Sequence, residues 1–207
     1  MQMTKVPISI IFHVEAFAMA NSEKNKIVSE LNNRAASLID AGRYQEAIDL
    51  LTKALSLDPS RTGILFNRAE AHRLSGNIEA ARKDLLSELQ MTPDSPEVLH
   101  GLGLLAYEQD DFPLATEFYR KALDRDPAFA PAWNDLGVVE FRSQHYDSAR
   151  TFFEKAVALD ADFSEAWFNL ADTYEELGMA EARSHALAQL RRARLRSGEK
   201  FDGEEDE

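Results

Sequence analysis

The chain has 207 residues, 23 Lys and Arg against 36 Asp and Glu, no Cys, and 44% apolar residues. That length permits one or two compact domains with a sizeable core, and the apolar fraction is too high for a disordered chain. Without Cys there is no disulfide framework, thiolate nucleophile, iron–sulfur cluster, Cys-based zinc site or acylated lipid anchor. A net charge of −13 argues against nucleic acid, whose phosphates are met by Lys and Arg, and the sequence has no uninterrupted apolar run long enough for a membrane span.

Residues 1–27 stand apart from the rest. The apolar run Val6–Phe12 follows Lys5 and precedes Ala18-Met19-Ala20, the outline of a secretory signal. His13 and Glu15 interrupt it, and Pro7 and Ser9 weaken it. Two other readings are a translation start at Met19 and an extra helix packed on the chain that begins at Val28. The expected compartment is the cytoplasm, with export as the alternative if residues 1–20 act as a signal.

From Val28 the chain repeats itself. Pro59, Pro93 and Pro127 are 34 residues apart, and so are Ala47, Ala81, Ala115 and Ala149. The small residues Ala35, Ala69, Gly103, Gly137 and Ala171 keep that spacing, each four positions after a bulky Leu31, Leu65, Leu99, Trp133 or Trp167. Five blocks begin at residues 28, 62, 96, 130 and 164 without a gap. Each block reads as two helices: apolar residues at steps of three and four, a turn, then the same steps again. Gly42, Gly76 and Gly178 mark three of the turns, with Asp110 and Gln144 in the other two. The prolines close the second helices, because Pro offers no N–H to a continuing helix. Ala or Gly recurs where two helix backbones must approach closely.

This pattern resembles the tetratricopeptide repeat family over residues 28–197, with an acidic, disordered tail at 198–207. The resemblance implies an all-α, right-handed superhelical solenoid of antiparallel helix pairs. It departs from the family where Arg34 and Arg68 replace a buried Leu, which predicts that both snorkel, and where Glu88 replaces a small Ala. In the last block Arg183, Leu190 and Leu195 break the pattern, so its second helix reads partly as a cap. Arg191, Arg192, Arg194, Arg196 and Lys200 then give way to Asp202, Glu204, Glu205, Asp206 and Glu207. That is either a charge-based contact or a solvated cap with a solubilising tail.

No catalytic constellation is present. His13, His72, His100, His145 and His185 are not paired at metal-binding spacing, and Gly101-Leu102-Gly103 falls inside a helix rather than in a phosphate loop. The expectation is a non-enzymatic chain with no cofactor and no metal.

What the resemblance implies for function is a concave surface, lined by the first helix of each pair, that holds a segment of another protein. Helical periodicity turns His100, Leu104 and Tyr107 inward in the third block, Asn134, Val138 and Phe141 in the fourth, and Phe168, Asp172 and Glu175 in the fifth. Asn32, Ala36 and Ile39, then Phe66, Glu70 and Arg73, do so in the first two. Phe66, Tyr107, Phe141 and Phe168 are expected to be apolar anchors, with Arg73 and Arg142 as selectors. Asn33, Asn67 and Asn169 share one repeat position, resembling the asparagine ladder of protein O-linked sugar transferases. They would meet a peptide backbone, or simply bond within their own repeats. Relatives that clamp acidic chaperone tails need cations where this chain has Glu97 and Gly101, so that role is disfavoured. Glu97, Glu108, Glu165, Glu175 and Glu176 instead favour a protein or peptide partner with apolar and basic residues. The expected function is an adaptor or assembly factor, monomeric or weakly self-associating. The competing reading is a scaffold that self-associates through its end repeats.

Overall fold

The computed structural model describes residues 8–198, with side chains from residue 21 onward. The signal-like features before residue 21 and the acidic tail after Gly198 lie outside the described side chains. Ten helices and no strand occur among the described residues. The chain divides into two compact units at Pro93 and Asp94.

The first unit holds α1 (Ile8–Asp40), α2 (Tyr44–Leu57), α3 (Ile64–Leu74) and α4 (Ile78–Met91). The second holds α5 (Pro96–Glu108), α6 (Phe112–Arg125), α7 (Ala130–Arg142), α8 (Tyr146–Leu159), α9 (Ser164–Glu176) and α10 (Ala180–Ser197). In each unit a helix packs on its chain neighbours, and α1 touches α3 as α7 touches α9. Helix α1 runs without a break from the stretch that precedes the repeats into the first of them.

The turns fall where the sequence places them. Gly42, Gly76 and Gly178 all have positive φ, and so do Asp110 (φ 58°) and Gln144 (φ 61°) in the equivalent turns. The end of each second helix has a cause beyond proline. Helices α2, α4 and α6 stop two residues before Pro59, Pro93 and Pro127, yet α8 stops in the same phase with Ala161 in the proline position. After α2, α6 and α8 the device is an aspartate that accepts from the backbone two residues on, whereas α4 ends at Thr92, whose hydroxyl donates to the Glu88 carbonyl. Ala128 N–H donates to Asp126 Oδ1 at 2.9 Å and Asp162 N–H donates to Asp160 Oδ1 at 2.9 Å. Such a local bond offers the chain an alternative to another helical turn. The loops after α6 and α8 each receive a tryptophan from the next helix, Trp133 Nε1 donating to the Pro127 carbonyl at 2.9 Å and Trp167 Nε1 to that of Ala161 at 3.0 Å.

The small residues mark the tightest helix approach, inside each pair. A Cβ built on Gly137 would lie 2.5 Å from the Phe153 ring, and one on Gly103 would collide with the Tyr119 ring. Phe153 and Tyr119 are 1% and 0% exposed, so neither ring has room to retreat. The residue 16 positions after the small one sets its size. Gly faces an aromatic at 103 and 119 and at 137 and 153, whereas Ala is matched with Leu at 35 and 51, 69 and 85, and 171 and 187.

Two departures from the repeat pattern are resolved by partners. Arg68 does not send its head to water: Nε and Nη2 meet Asp84 Oδ2 and Oδ1 at 2.7 and 2.8 Å, and Nη1 donates to Thr52. A planar fork on a nearly buried carboxylate is the strong form of the pair. Arg34, by contrast, is exposed. Glu88, 2% exposed, accepts from the Gly63 backbone N–H at 2.7 Å and so caps the start of α3, where Gly63 itself has no capping side chain.

Adding a methyl at Gly137 overpacks the Phe153 ring. Gly137→Ala should cost about 1–3 kcal/mol by chemical denaturation, even after the ~1 kcal/mol gained in helix propensity. Combining it with Phe153→Leu, which recreates the Ala–Leu match of the other repeats, should recover part of the loss. Strict additivity of the two changes would refute the size match.

Candidate functional site

Of the groove residues expected from the sequence, the second unit assembles His100, Leu104 and Tyr107 on α5, Asn134, Val138, Phe141 and Arg142 on α7, and Phe168 and Asn169 on α9. Helix α5 starts at a Ser95 cap whose hydroxyl accepts from Val98 N–H, with Pro96 at the first helical position. Pro131 lies at the second position of α7, whose N-cap, Phe129, makes no side-chain cap bond.

Two adjoining hollows open along these helices. The larger, of about 370 Å³, is lined by Leu104, Tyr107, Glu108, Tyr119, Asp135, Val138, Glu165 and Asn169. The smaller, about 70 Å³, is lined by Val138, Phe141, Arg142, Phe153, Asn169 and Asp172. Val138 and Asn169 belong to both. Phe168 is 45% exposed and lines neither.

A polar network forms the floor. Asn134 is fully buried. Its Oδ1 accepts from Asn169 Nδ2 at 2.9 Å, its Nδ2 donates to Asp135 Oδ1 at 3.1 Å, and it also bonds the Glu165 carboxyl. Asp135 Oδ2 lies 2.7 Å from His100 Nε2. His100 is held in turn between the rings of Tyr119 and Phe129, at centroid distances of 5.6 and 5.3 Å. Thus Asn134 anchors the network from within and does not face a partner.

The asparagines follow one rule that repeat spacing alone does not reveal. Each pairs with a polar residue 35 positions away in a neighbouring repeat, one more than the repeat length: Asn67 with Asn32 in the first unit, Asn169 with Asn134 in the second. His100 and Asp135 use the same rung. The fifth residue of one block therefore meets the sixth of the next. Asn33 sits at the sixth position of the first block, with no earlier block to supply a partner, and is exposed. It lines, with Asn32 and Arg61, a separate hollow of about 160 Å³ in the first unit. In that unit Phe66 is half-buried, and Arg73 donates to Glu70 at 2.6 and 3.0 Å. In the second, Arg142 lies 4.9 Å from the Phe112 ring centroid, 3.3 Å from the Tyr107 hydroxyl and 3.6 Å from Asp110.

Two carboxyls here are displaced toward the protonated form. Partial desolvation, then the charge of Asp135, push the Glu165 carboxyl above its ordinary value against the opposing bond from Asn134. Burial, then Glu175, push Asp172 up likewise. Among the described residues no group of three or more His, Cys, Asp or Glu is placed to hold a metal, and no helix is long and apolar enough to cross a membrane.

Stacked helical hairpins with an open, mixed apolar and acidic face define a protein–protein interaction module. The chain belongs to the tetratricopeptide repeat family, whose models match residues 38–105, 100–162 and 152–183. It is 34% identical over 102 residues to the heat-shock cognate co-chaperone sgt12 of Aspergillus fumigatus, a match covering 49% of this chain and 29% of that protein. The chain thus spans less than a third of that relative. Among solved structures it resembles pilF of Pseudomonas aeruginosa, with a TM-score of 0.73 at 17% identity over 87% of this chain and 80% of that one. A thermophilic tetratricopeptide repeat protein of Thermus thermophilus gives 0.70 at 22% identity over 84% and 94%. These likenesses are of fold. Proteins of this family are typically non-catalytic.

A raised carboxyl in the native state means that folding stability falls as pH climbs from the ordinary carboxylate range through the raised value. Glu165→Gln keeps an acceptor for Asn134 and removes that loss. Its melting temperature relative to the parent, read by calorimetry, should therefore rise as pH climbs above the ordinary carboxylate range. A variant that falls behind the parent as pH rises would contradict the assignment.

Proposed function

We propose that the second unit holds an extended or helical segment of a partner protein against α5, α7 and α9, and that the chain acts as a non-catalytic adaptor or assembly factor. The observation that carries this reading is the pair of adjoining hollows with apolar walls and a hydrogen-bonded polar floor. A solvated helix face needs no such walls. Tyr107 and Phe141 act as apolar anchors, at up to about 1.5–3 kcal/mol each before ordering costs. Asn169 lines both hollows. Its Nδ2 is committed to Asn134, so its Oδ1 serves as the acceptor for a peptide N–H. Phe168 extends the apolar edge, and Arg142 selects at the smaller hollow opposite Asp172. In the first unit, Phe66, Asn67 and Asn33 offer contacts of the same kinds, with Arg73 already engaged by Glu70.

Charge sets the partner's chemistry. Glu108, Asp135, Glu165 and Asp172 outnumber Arg142 around the hollows, which favours apolar and basic segments and disfavours nucleic acid. Acidic chaperone tails are disfavoured too, since Glu97 and Gly101 stand at the cation positions of clamp-forming relatives. Self-association has one supporting feature, Leu195 on α10 at 72% exposure, and light scattering at high concentration tests it.

Screening a random peptide library against the intact chain should enrich apolar and basic sequences. Tyr107→Ala or Phe141→Ala, checked for an unchanged melting profile, should weaken the selected peptides about tenfold or more. Undiminished binding would remove the anchors from the account. A peptide of acidic residues ending in a free carboxylate should show no saturable binding by calorimetry.

A further inference from the structure

We propose that the larger hollow of the second unit is a specificity pocket for one arginine side chain of the bound segment. This rests on the peptide-groove reading and deepens it.

Three properties of the hollow converge on a guanidinium. Tyr107 and Leu104 give it an aromatic and an apolar wall over the buried ring of Tyr119, and an aromatic face is the surface on which a weakly hydrated planar cation stacks. Glu108, Asp135 and Glu165 add three carboxyls from three different helices, and no Lys or Arg is among the lining residues. Its volume of about 370 Å³ admits a long side chain together with water.

The protein's own groups leave the charge of Glu165 incompletely answered. Asp135 has His100 and Asn134, but Glu165 has the neutral amide of Asn134, and its carboxyl is held above the ordinary value by lost water and by Asp135. Arg142 lines the smaller hollow; it bonds the Tyr107 hydroxyl, lies 5.5 Å from the centroid of that ring, and is committed to Asp110 and the Phe112 ring. Carboxyls on separate helices suit a five-donor fork better than a compact ammonium, because the fork can bond two of them in one plane while its face stays on the Tyr107 ring. The pocket therefore ranks arginine above lysine.

Three capped amino acids serve as probes of the intact chain by nuclear magnetic resonance: N-acetyl-arginine N-methylamide and its lysine and citrulline counterparts. The arginine probe should shift amide signals of α5, α7 and α9 around the hollow, the lysine probe less, and the uncharged citrulline probe not measurably. Glu165→Gln should weaken the arginine probe about fivefold or more, whereas Glu181→Gln, which removes an exposed charge on α10, should not. Equal shifts from citrulline, equal affinity for lysine, or indifference to Glu165→Gln would each overturn the proposal. The peptide library separates this from the broader reading. Retained peptides with no arginine enrichment sink the pocket and spare the groove, while no retained peptide sinks the groove reading whatever the probes do.

Discussion

Everything in this fold depends on how closely two helices of a pair can approach. The distance is set at one position per repeat, where the first helix carries no side chain beyond Cβ and the second drives a large one against it. In the third and fourth repeats the fit is extreme, with glycine opposite the buried rings of Tyr119 and Phe153. Interiors packed to crystal-like density transmit a misfit of one methyl instead of absorbing it. Because the small residue sits mid-helix, its identity also fixes the direction in which the neighbouring inward residues point. Gly103 is bracketed by Leu104 and Tyr107 on one side and His100 on the other; Gly137 by Val138 and Phe141 on one side and Asn134 on the other. Packing and groove are thus two faces of the same helices.

Apolar packing alone is non-directional and would tolerate small slips between successive pairs. The polar rungs supply direction. A side-chain amide buried at Asn134 is costly unless satisfied, and it is satisfied only when α7 and α9 are in register. The same holds for His100 against Asp135 across α5 and α7. These bonds also give the groove its chemistry, because the network that aligns the helices places acidic groups at the floor of the larger hollow.

The period, the helix pairs, the turns and the small-residue ladder were legible in the sequence, since each is a local or strictly repeated constraint. Glycine, or aspartate and glutamine in its stead, marks every turn because a left-handed residue is needed there. Less was legible where one residue's role depends on another at a different repeat position. The asparagines looked like a ladder of equivalents, whereas Asn67 and Asn169 are each bonded to a neighbour offset by one, which no alignment of identical positions reveals. Arg68 looked like a misplaced surface residue until Asp84, 16 positions on, proved to face it. Glu88 looked too large for its site, yet it takes the place of the missing cap at Gly63. Asn134 reads as inward by periodicity and lies too deep to reach a partner. In the second unit, the carboxyl-lined pocket draws on residues from four helices and has no signature in any one of them.

Asp110 shows a compromise of a different sort. Three turns relieve their positive φ with glycine, but this one keeps a side chain there, at a backbone cost of about 1 kcal/mol, and that side chain ends 3.6 Å from the Arg142 guanidinium. The strained turn thereby tethers a long cationic side chain at the groove's edge. An engineer seeking thermal robustness would find slack to recover at the exposed, equally left-handed Gln144, while the same glycine at position 110 would leave Arg142 with its aromatic contacts alone and loosen its aim.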